Sequence, residues 1–555
     1  MSASPLPNTA THEVTNQVPP LAGHNLFASD AALREAAARE GAAAFDTWLT
    51  QRGAELGSAE MQALAGEANR HPPRLEAFDT SGRRRDVVVF HPAYHALMAY
   101  LARHGAAAGP WADPAPGAHV RRAALYLMYA QVEDGTLCPT TMTYASIPAL
   151  AHDAALLEEW RPRICSTEYD PRFLPAAQKR GVTIGMGMTE KQGGSDVRAN
   201  ATRAERVGDR DYRIVGHKWF FSAPMCDAFL ILAQAQGGLT CFLLPRFALD
   251  GSVNDIRIQR LKDKLGDRSN ASSEVEFWGA HAQRVGDEGR GVATILDMGT
   301  YCRLDCALGT AGLTRGAVAQ ALHHARHRSA FGRRLVDAPL MRSVLADLAL
   351  ESEAATALAM RLARAFDAQD DPHEALLRRV LVPAAKFWIC KRGPAAAAEA
   401  MEVLGGNGYV EEGPLARVYR QMPLNSIWEG SGNIMCLDVL RALERDTRVV
   451  DALAAELGAA RGGNRDLDAF VAALTSDLAA GAIAPQRARS LAQRIALAAQ
   501  GALLVRTAPA AVADAFCASR LRPLAFAGGA FGTLDGDADV AAILARAMPD
   551  AAVPG

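Results

Sequence analysis

The order of strand-like and helix-like text limits this fold more than any other feature of the chain: about one hundred central residues read as strands, and both flanks read as helix. The β-rich pieces cover residues 181–188, 212–215, 228–233, 239–244 and 273–277, short apolar runs broken by Gly, Asp and Asn. Val, Ile and Phe suit a pleated, half-buried surface, and Gly, Asp and Asn suit turns. Strands that follow one another without crossover helices predict a compact antiparallel barrel or sandwich.

Around that segment the apolar spacing is helical. Helices are expected over 30–52, with Asp30 as N-cap, and over 117–133, 292–327, 339–367, 374–390 and 393–404. The last hundred residues are Ala-rich and interrupted by Gly462-Gly463, Gly528-Gly529 and the acidic run ending at Asp539. They read as a separate helical extension with a disordered end. The expected organisation is a mainly α protein with a central β domain: a helical domain over 1–180, a β domain over 181–285, a second helical domain over 286–445 and the extension over 446–555. At 555 residues the chain exceeds a single core and is large enough to enclose a cofactor.

Composition excludes more than it assigns. A net charge of −2 names no partner. The nine cysteines include no Cys-x-x-Cys pair, and only Cys302 and Cys306 sit one turn apart, so neither a disulfide framework nor a metal site is expected. The first thirty residues carry Pro5, Pro7, Pro19 and Pro20 and lack the basic start and apolar run of a signal peptide, which points to the cytoplasm. No run of about 18 uncharged apolar residues suggests a membrane span.

Five segments carry candidate chemistry. Met188-Thr189-Glu190-Lys191-Gln192-Gly193-Gly194-Ser195-Asp196 follows a strand and sets two glycines between hydroxyl residues. Such a loop admits close approach of a ligand and offers hydroxyls and backbone N–H groups to a flavin edge or a phosphate, though alone it reads more readily as a surface hairpin. It is neither a dinucleotide fingerprint nor a P-loop, because Gly185-Met-Gly187 lacks the third glycine and no Gly-Lys-Ser/Thr occurs. Gly216-His-Lys-Trp-Phe220-Phe221-Ser222 crowds aromatics at a strand end, where they wall a ring or fill a core. Arg326-His-Arg328-Ser-Ala-Phe331-Gly332-Arg-Arg334 ends a helix in dense positive charge, suited to pyrophosphate or to solvent. Met401-Glu402-Val-Leu-Gly405-Gly406-Asn407-Gly408-Tyr409 and Asn425-Ser-Ile-Trp428-Glu429-Gly430-Ser431-Gly432-Asn433-Ile434 complete the set.

In this order and at these separations the five segments resemble the acyl-CoA dehydrogenase family across about residues 120–440. The Glu190-Lys191-Gln192 version of the first loop, Trp428 and the added C-terminal region resemble its AidB-type, alkylation-response branch. The resemblance implies a homotetramer with FAD and affinity for double-stranded DNA. It places Glu429 as catalytic base, removing the α-proton of an acyl-CoA thioester while hydride leaves the β-carbon, and sets Arg303 on the substrate side. Met188, Thr189, Gly194 and Ser195, then Phe220, Phe221 and Ser222, are implied to line the flavin, with Trp428 and Gly430 beside the base. Arg328, Phe331 and the Gly405-Gly406 turn are implied to meet the FAD of an adjacent subunit, and Ser431 and Asn433 its adenosine diphosphate part. Some members carry the base just before the arginine equivalent to Arg303; here that residue is Cys302, which leaves Glu429. Two positions depart from the family pattern, Pro339 and Glu402 standing where Gln is frequent.

For DNA the extension gives mixed signals: from residue 451 onward it has nine Arg, no Lys and ten Asp or Glu. Arg441, Arg520 and Arg522 are the expected contacts, with Arg487, Arg489 and Arg494 as further candidates, if they segregate to one face. Two readings remain open, an alkylation-response flavoprotein with weak dehydrogenase activity, and an ordinary metabolic enzyme for a short or branched acyl-CoA.

Overall fold

The computed structural model describes residues 11–479, 484–522 and 538–547. Asp30 caps the first helix, its carboxylate accepting from Leu33 N at 3.1 Å. That helix is not continuous to residue 52: it ends at Ala37, and Gly41, at φ +123°, turns the chain before Asp46–Leu56. Helical periodicity yields here to packing, since a Cβ on the facing Gly117 would lie 2.1 Å from the Gly41 carbonyl oxygen. A hairpin of β1 (Arg74–Phe78) and β2 (Arg84–Val89) interrupts the helical flank. Its largely exposed, charge-rich strands give too weak an alternation to read from sequence. Two further helices, α1 (Ala118–Tyr129) and α2 (Leu137–Leu150), complete the layer that faces the rest of the molecule.

The central segment forms one seven-stranded sheet from β3 (Ile184–Gly187), β4 (Arg203–Arg206), β5 (Asp211–Ser222), β6 (Ala228–Ala235), β7 (Gly238–Pro245), β8 (Ile256–Leu261) and β9 (Ser272–Val285). Its order β3-β6-β4-β5-β9-β7 closes on itself because β6 also pairs β7, giving the expected barrel. The barrel is not purely antiparallel: β6 runs parallel to β3 and to β4. Phe221 packs on Phe229 and Phe277 at centroid distances of 4.4 and 6.0 Å, filling the interior.

After the barrel come α3 (Gly291–His327), α4 (Pro339–Asp367), α5 (Pro372–Val403) and α6 (Gly432–Arg445), packed on one another. The two helices expected over 374–404 are one, running through Pro383 and Pro394. An interior proline costs about 3 kcal/mol in an isolated helix. Burial offsets it here: a Cβ on Gly393 would stand 2.7 Å from Thr310 and 2.8 Å from Met422 Sδ, so α5 lies tightly against its neighbours. A buried pair, Arg122 with Asp305 at 2.7 Å, ties α1 to α3.

Residues beyond 446 form Arg448–Gly458, Arg465–Ala479, α7 (Ala488–Thr507), Ala510–Arg520 and Val540–Ala547. Rather than standing apart, α7 packs against α4, α5 and α6, and Arg361 links Glu374 of α5 to Glu456. Gly528-Gly529, most of the acidic run and the expected disordered end lie outside the described residues. Among the described residues no helix is long and apolar enough to cross a membrane.

Candidate functional site

The 188–196 loop is fixed from beneath by a buried ion pair. Glu190 and Lys218 have fully enclosed side chains and meet at 2.8 Å; Glu190 also accepts from Ala201 N at 2.7 Å and Thr202 N at 3.2 Å. Burial alone raises a carboxyl pKa, but Lys218 and these donors outweigh it and bring Glu190 down to about 2. Two more bonds set the loop's path, Trp219 N to the Thr189 carbonyl at 2.8 Å and Asn200 Nδ2 to the Met188 carbonyl at 3.0 Å. Gly194 has no room for a side chain, since a Cβ there would lie 2.3 Å from Thr189 Oγ1. Thr189 therefore lies over a bare backbone, and Ser195 is exposed beyond it.

At the end of β5 a register shift between Lys218 and Phe221 breaks the strict alternation of faces. Trp219 and Phe220 turn outward, Phe220 with 53% of its surface exposed, while Phe221 is fully buried. The expectation that both phenylalanines line a ligand is corrected: the Phe221 ring belongs to the barrel core. Trp219, which sequence reasoning did not assign, takes the outer position, with Lys262 Nζ 3.5 Å from its ring centroid. Ser222 meets the Cys138 thiol of α2, and Cys138 in turn lies near Cys302. Barrel loop and helical bundle thus converge.

On the bundle side stands Glu429, a non-glycine residue at φ +57° in the left-handed region. Such a backbone costs about 1–3 kcal/mol and persists only where its surroundings impose it. Arg303 Nε donates to the Glu429 carbonyl at 3.1 Å, and Arg303 pairs with Asp438 at 2.9 Å. Buried Lys386 donates to the flanking carbonyls, Trp428 at 2.6 Å and Gly430 at 2.5 Å. The Trp428 indole is anchored on Asn425 at 2.9 Å, and Asn425 on Thr310 at 3.0 Å. Burial pushes the Glu429 carboxyl pKa up, with Lys386 and then Arg303 opposing it. Cys302 is buried and its thiol raised well above the ordinary range, so it stays neutral.

Ser431 precedes α6 and Asn433 lies in its first turn, exposed. Two cations that sequence reasoning left out of this site stand there: Arg489 of α7 donates to Asn433 Oδ1 at 2.8 Å, and a Cβ on Gly432 would lie 3.1 Å from Lys391 Cε. At Gly405 and Gly406 a Cβ would meet nothing within 4 Å. Beyond α3 the hairpin of β10 (Ser329–Ala330) and β11 (Arg333–Arg334) carries Phe331, fully exposed at φ +51°. Asn16 pins it from the N-terminal segment, exchanging 2.8 and 2.9 Å bonds with Ser329 and accepting from Arg328.

Of the arginines expected to meet DNA, Arg441 is exposed, and Arg522 is half-exposed but paired with Asp466 at 2.9 Å. Arg520 is corrected: it is buried against Asp347 and Glu351 and cannot reach a phosphate. Arg487 and Arg494 pair with Asp477. Elsewhere Glu67, His71 and His91 bring ligand atoms within 4.8 Å of one another, but Arg70 already holds Glu67 at 2.6 Å.

Residues 16–171 match the family described as the adaptive response protein AidB N-terminal domain; residues 185–279 and 289–444 match the acyl-CoA dehydrogenase middle and C-terminal domains. The chain belongs to the acyl-CoA dehydrogenase family and is an FAD-dependent oxidoreductase of that type. Over 509 residues, 91% of this chain and 94% of the other, it is 50% identical to the AidB protein of Escherichia coli (strain K12), which sets it in the AidB-type branch. Acyl-CoA dehydrogenase family member 11 of Caenorhabditis elegans is 30% identical over 401 residues, 69% of this chain and 64% of that protein. The crystal structure of Caenorhabditis elegans ACDH-11 in complex with C11-CoA superposes with a TM-score of 0.82 at 26% identity, covering 92% of each chain.

Proposed function

We propose that this chain is an FAD-containing, acyl-CoA dehydrogenase-like protein of the DNA alkylation response, which binds double-stranded DNA and retains weak acyl-CoA dehydrogenase activity. The observation that carries the catalytic part is Glu429, held in a left-handed backbone with its carboxyl pKa raised by burial. A base must be ionised to accept a proton and gains driving force as its pKa rises, so this placement suits abstraction of the weakly acidic α-proton of an acyl thioester.

The residues present fit FAD. Thr189 over bare Gly194, with Met188, Ser195, Phe220, Trp219 and Ser222, offers hydroxyl, N–H and aromatic contacts on one side; Trp428 and Gly430 face the base loop. The N-terminus of α6 at Ser431 and Asn433, with Arg489 and Lys391, suits a diphosphate, combining free backbone N–H groups with two cations. Bound FAD supplies the hydride acceptor. Glu429 takes the α-proton, Arg303 fixes the Glu429 carbonyl at the substrate side, and Trp428 walls the base from water. The exposed Phe331, Arg328 and the open Gly405-Gly406 turn suit the cofactor of a second subunit in a homotetramer.

Support for the response role comes from the match of residues 16–171 to the adaptive response protein AidB N-terminal domain. For DNA, Arg441 and Arg522 are the contacts we assign. Glu429→Gln is expected to retain its yellow flavin but to lose reduction by butyryl-CoA, isovaleryl-CoA and undecanoyl-CoA in anaerobic mixing. Unchanged reduction would overturn the base. Duplex affinity that is independent of salt and of Arg441 would overturn the DNA assignment and favour the metabolic reading.

A further inference from the structure

Three consecutive carbonyls around the base are held by cations from two different helices. Lys386 of α5 takes those of Trp428 and Gly430, at 2.6 and 2.5 Å, and Arg303 of α3 takes that of Glu429 itself, at 3.1 Å. These cations are not equivalent. Arg303 is neutralised by Asp438, which also receives Arg379 at 2.9 Å. Lys386 is 1% exposed, and among the described residues no ion pair forms on it. A buried ammonium is expensive unless a charge or oriented dipoles compensate it. The two carbonyls do so in part, and what remains within electrostatic reach is the carboxylate of Glu429.

We propose that Lys386 is the positioning residue of the Glu429 base: its ammonium clamps the carbonyls on both sides of Glu429, fixing the left-handed backbone, and serves as counter-ion to the carboxylate. The inference rests on the reading of Glu429 as base. The groups facing Glu429 are Lys386 from α5, and Arg303, Cys302 and Cys306 from α3, with Asp438 of α6 behind Arg303. Both thiols are raised well above their usual range by burial and stay neutral. Arg303 shares Asp438 with Arg379 and keeps a smaller hold on the carboxyl, so Lys386 is the chief positive charge at the base. Burial raises the Glu429 pKa, and Lys386 is the larger of the two opposing influences.

The test uses the full-length flavoprotein with Lys386→Met, which removes clamp and charge, and Lys386→Gln, which keeps N–H donors but no charge; Glu429→Gln is the control. Anaerobic flavin reduction by butyryl-CoA and undecanoyl-CoA is followed against pH. The protonated-carboxyl infrared band that Glu429→Gln removes is titrated in flavin-free and flavin-loaded protein. Removing a nearby opposite charge moves a carboxyl pKa by about one unit or more. Both variants are therefore expected to shift the rate profile and the infrared titration upward by about one unit, with reduction about tenfold slower at pH values below the wild-type pKa. Lys386→Met is expected to lose further rate at every pH, because its loop is unclamped. If Lys386→Met does not fold, Lys386→Gln carries the charge test alone. An inactive Glu429→Gln beside Lys386 variants with unmoved titrations would overturn the inference; a fully active Glu429→Gln would overturn the base reading itself.

Discussion

Glu190→Gln tests what holds the cofactor loop to the barrel. Both Glu190 and Lys218 are enclosed, and the carboxylate meets donors only: Lys218 Nζ, the amides of Ala201 and Thr202, and Gln192 Nε2. Either orientation of a glutamine amide turns its NH2 group against donors; one leaves the ammonium of Lys218 with only the Leu232 carbonyl, at 2.8 Å, and the other leaves it an uncharged oxygen in place of the carboxylate. Breaking a buried pair from one side costs about 3–5 kcal/mol. The ceiling is set by the alternative of folding with a neutral lysine: about 1.4 kcal/mol per pH unit, from an ordinary pKa of about 10.4 down to pH 7, is close to 5 kcal/mol. The sign follows from the same linkage. A lysine whose folded pKa is depressed costs most below that value, and the cost falls as pH rises towards the unfolded value. Native-state hydrogen exchange of the peptides over 211–235 is the assay. Their opening free energy is expected to fall by about 3–5 kcal/mol at pH 7, with the gap narrowing by about 1.4 kcal/mol per pH unit from the variant's depressed Lys218 pKa up to about pH 8, where the wild-type lysine, itself lowered to about 8 by burial, also loses its proton. Glu190→Gln/Lys218→Met is expected to recover most of the loss. Amides within about 0.5 kcal/mol of wild type at pH 7, or a gap insensitive to pH, would refute the reasoning.

Three further predictions separate the roles of the arginines in α6 and the extension. Arg489→Gln is expected to weaken FAD binding to apoprotein several-fold, more at low than at high salt, because an exposed cation beside a diphosphate acts through a screened field; fluorescence titration of apoprotein with FAD measures it. Arg520→Ala removes a buried cation shared by Asp347 and Glu351, of which Glu351 keeps Arg392 at 3.1 Å, and is expected to lower stability by about 3 kcal/mol without changing duplex affinity of the folded protein. Arg441→Gln is expected to do the reverse, leaving the melting temperature unchanged and reducing the salt slope of duplex binding by about one.

What could be read in the sequence is what depends on near neighbours. Short β-rich apolar runs broken by turn residues locate the barrel, and the helix over Pro339–Asp367 starts and stops where its Pro and Asp ends predict. The five segments name the site by their order, although each alone is ambiguous. What could not be read depends on partners far along the chain or on one-residue shifts. Phe220 and Phe221 are adjacent and chemically alike, and only the β5–β9 register shift decides which of them faces outward. Arg520 looks like any surface cation until α4 supplies Asp347, 173 residues away. Asn16 grips a hairpin 313 residues distant, with no motif to announce it. Lys386 is one of five Lys or Arg residues in α5, and its meaning comes entirely from the loop that crosses it.

That crossing explains why the base loop tolerates an L-residue where glycine is favoured. Glu429 at φ +57° and Gly430 at φ +99° form a turn that points three successive carbonyls into the bundle. Left without donors, those buried carbonyls would add their desolvation cost to the backbone strain. With Lys386 and Arg303 in place, the same carbonyls become the reason that the turn is stable, since each cation holds the chain only in this conformation. The arrangement also accounts for Cys302. A carboxylate at that position, next to Arg303 and close to Glu429, would set two acids against the same cations and raise the pKa of one of them further. A neutral thiol leaves the positive field of Lys386 to Glu429 alone, so the bundle carries one proton acceptor with one defined charge state.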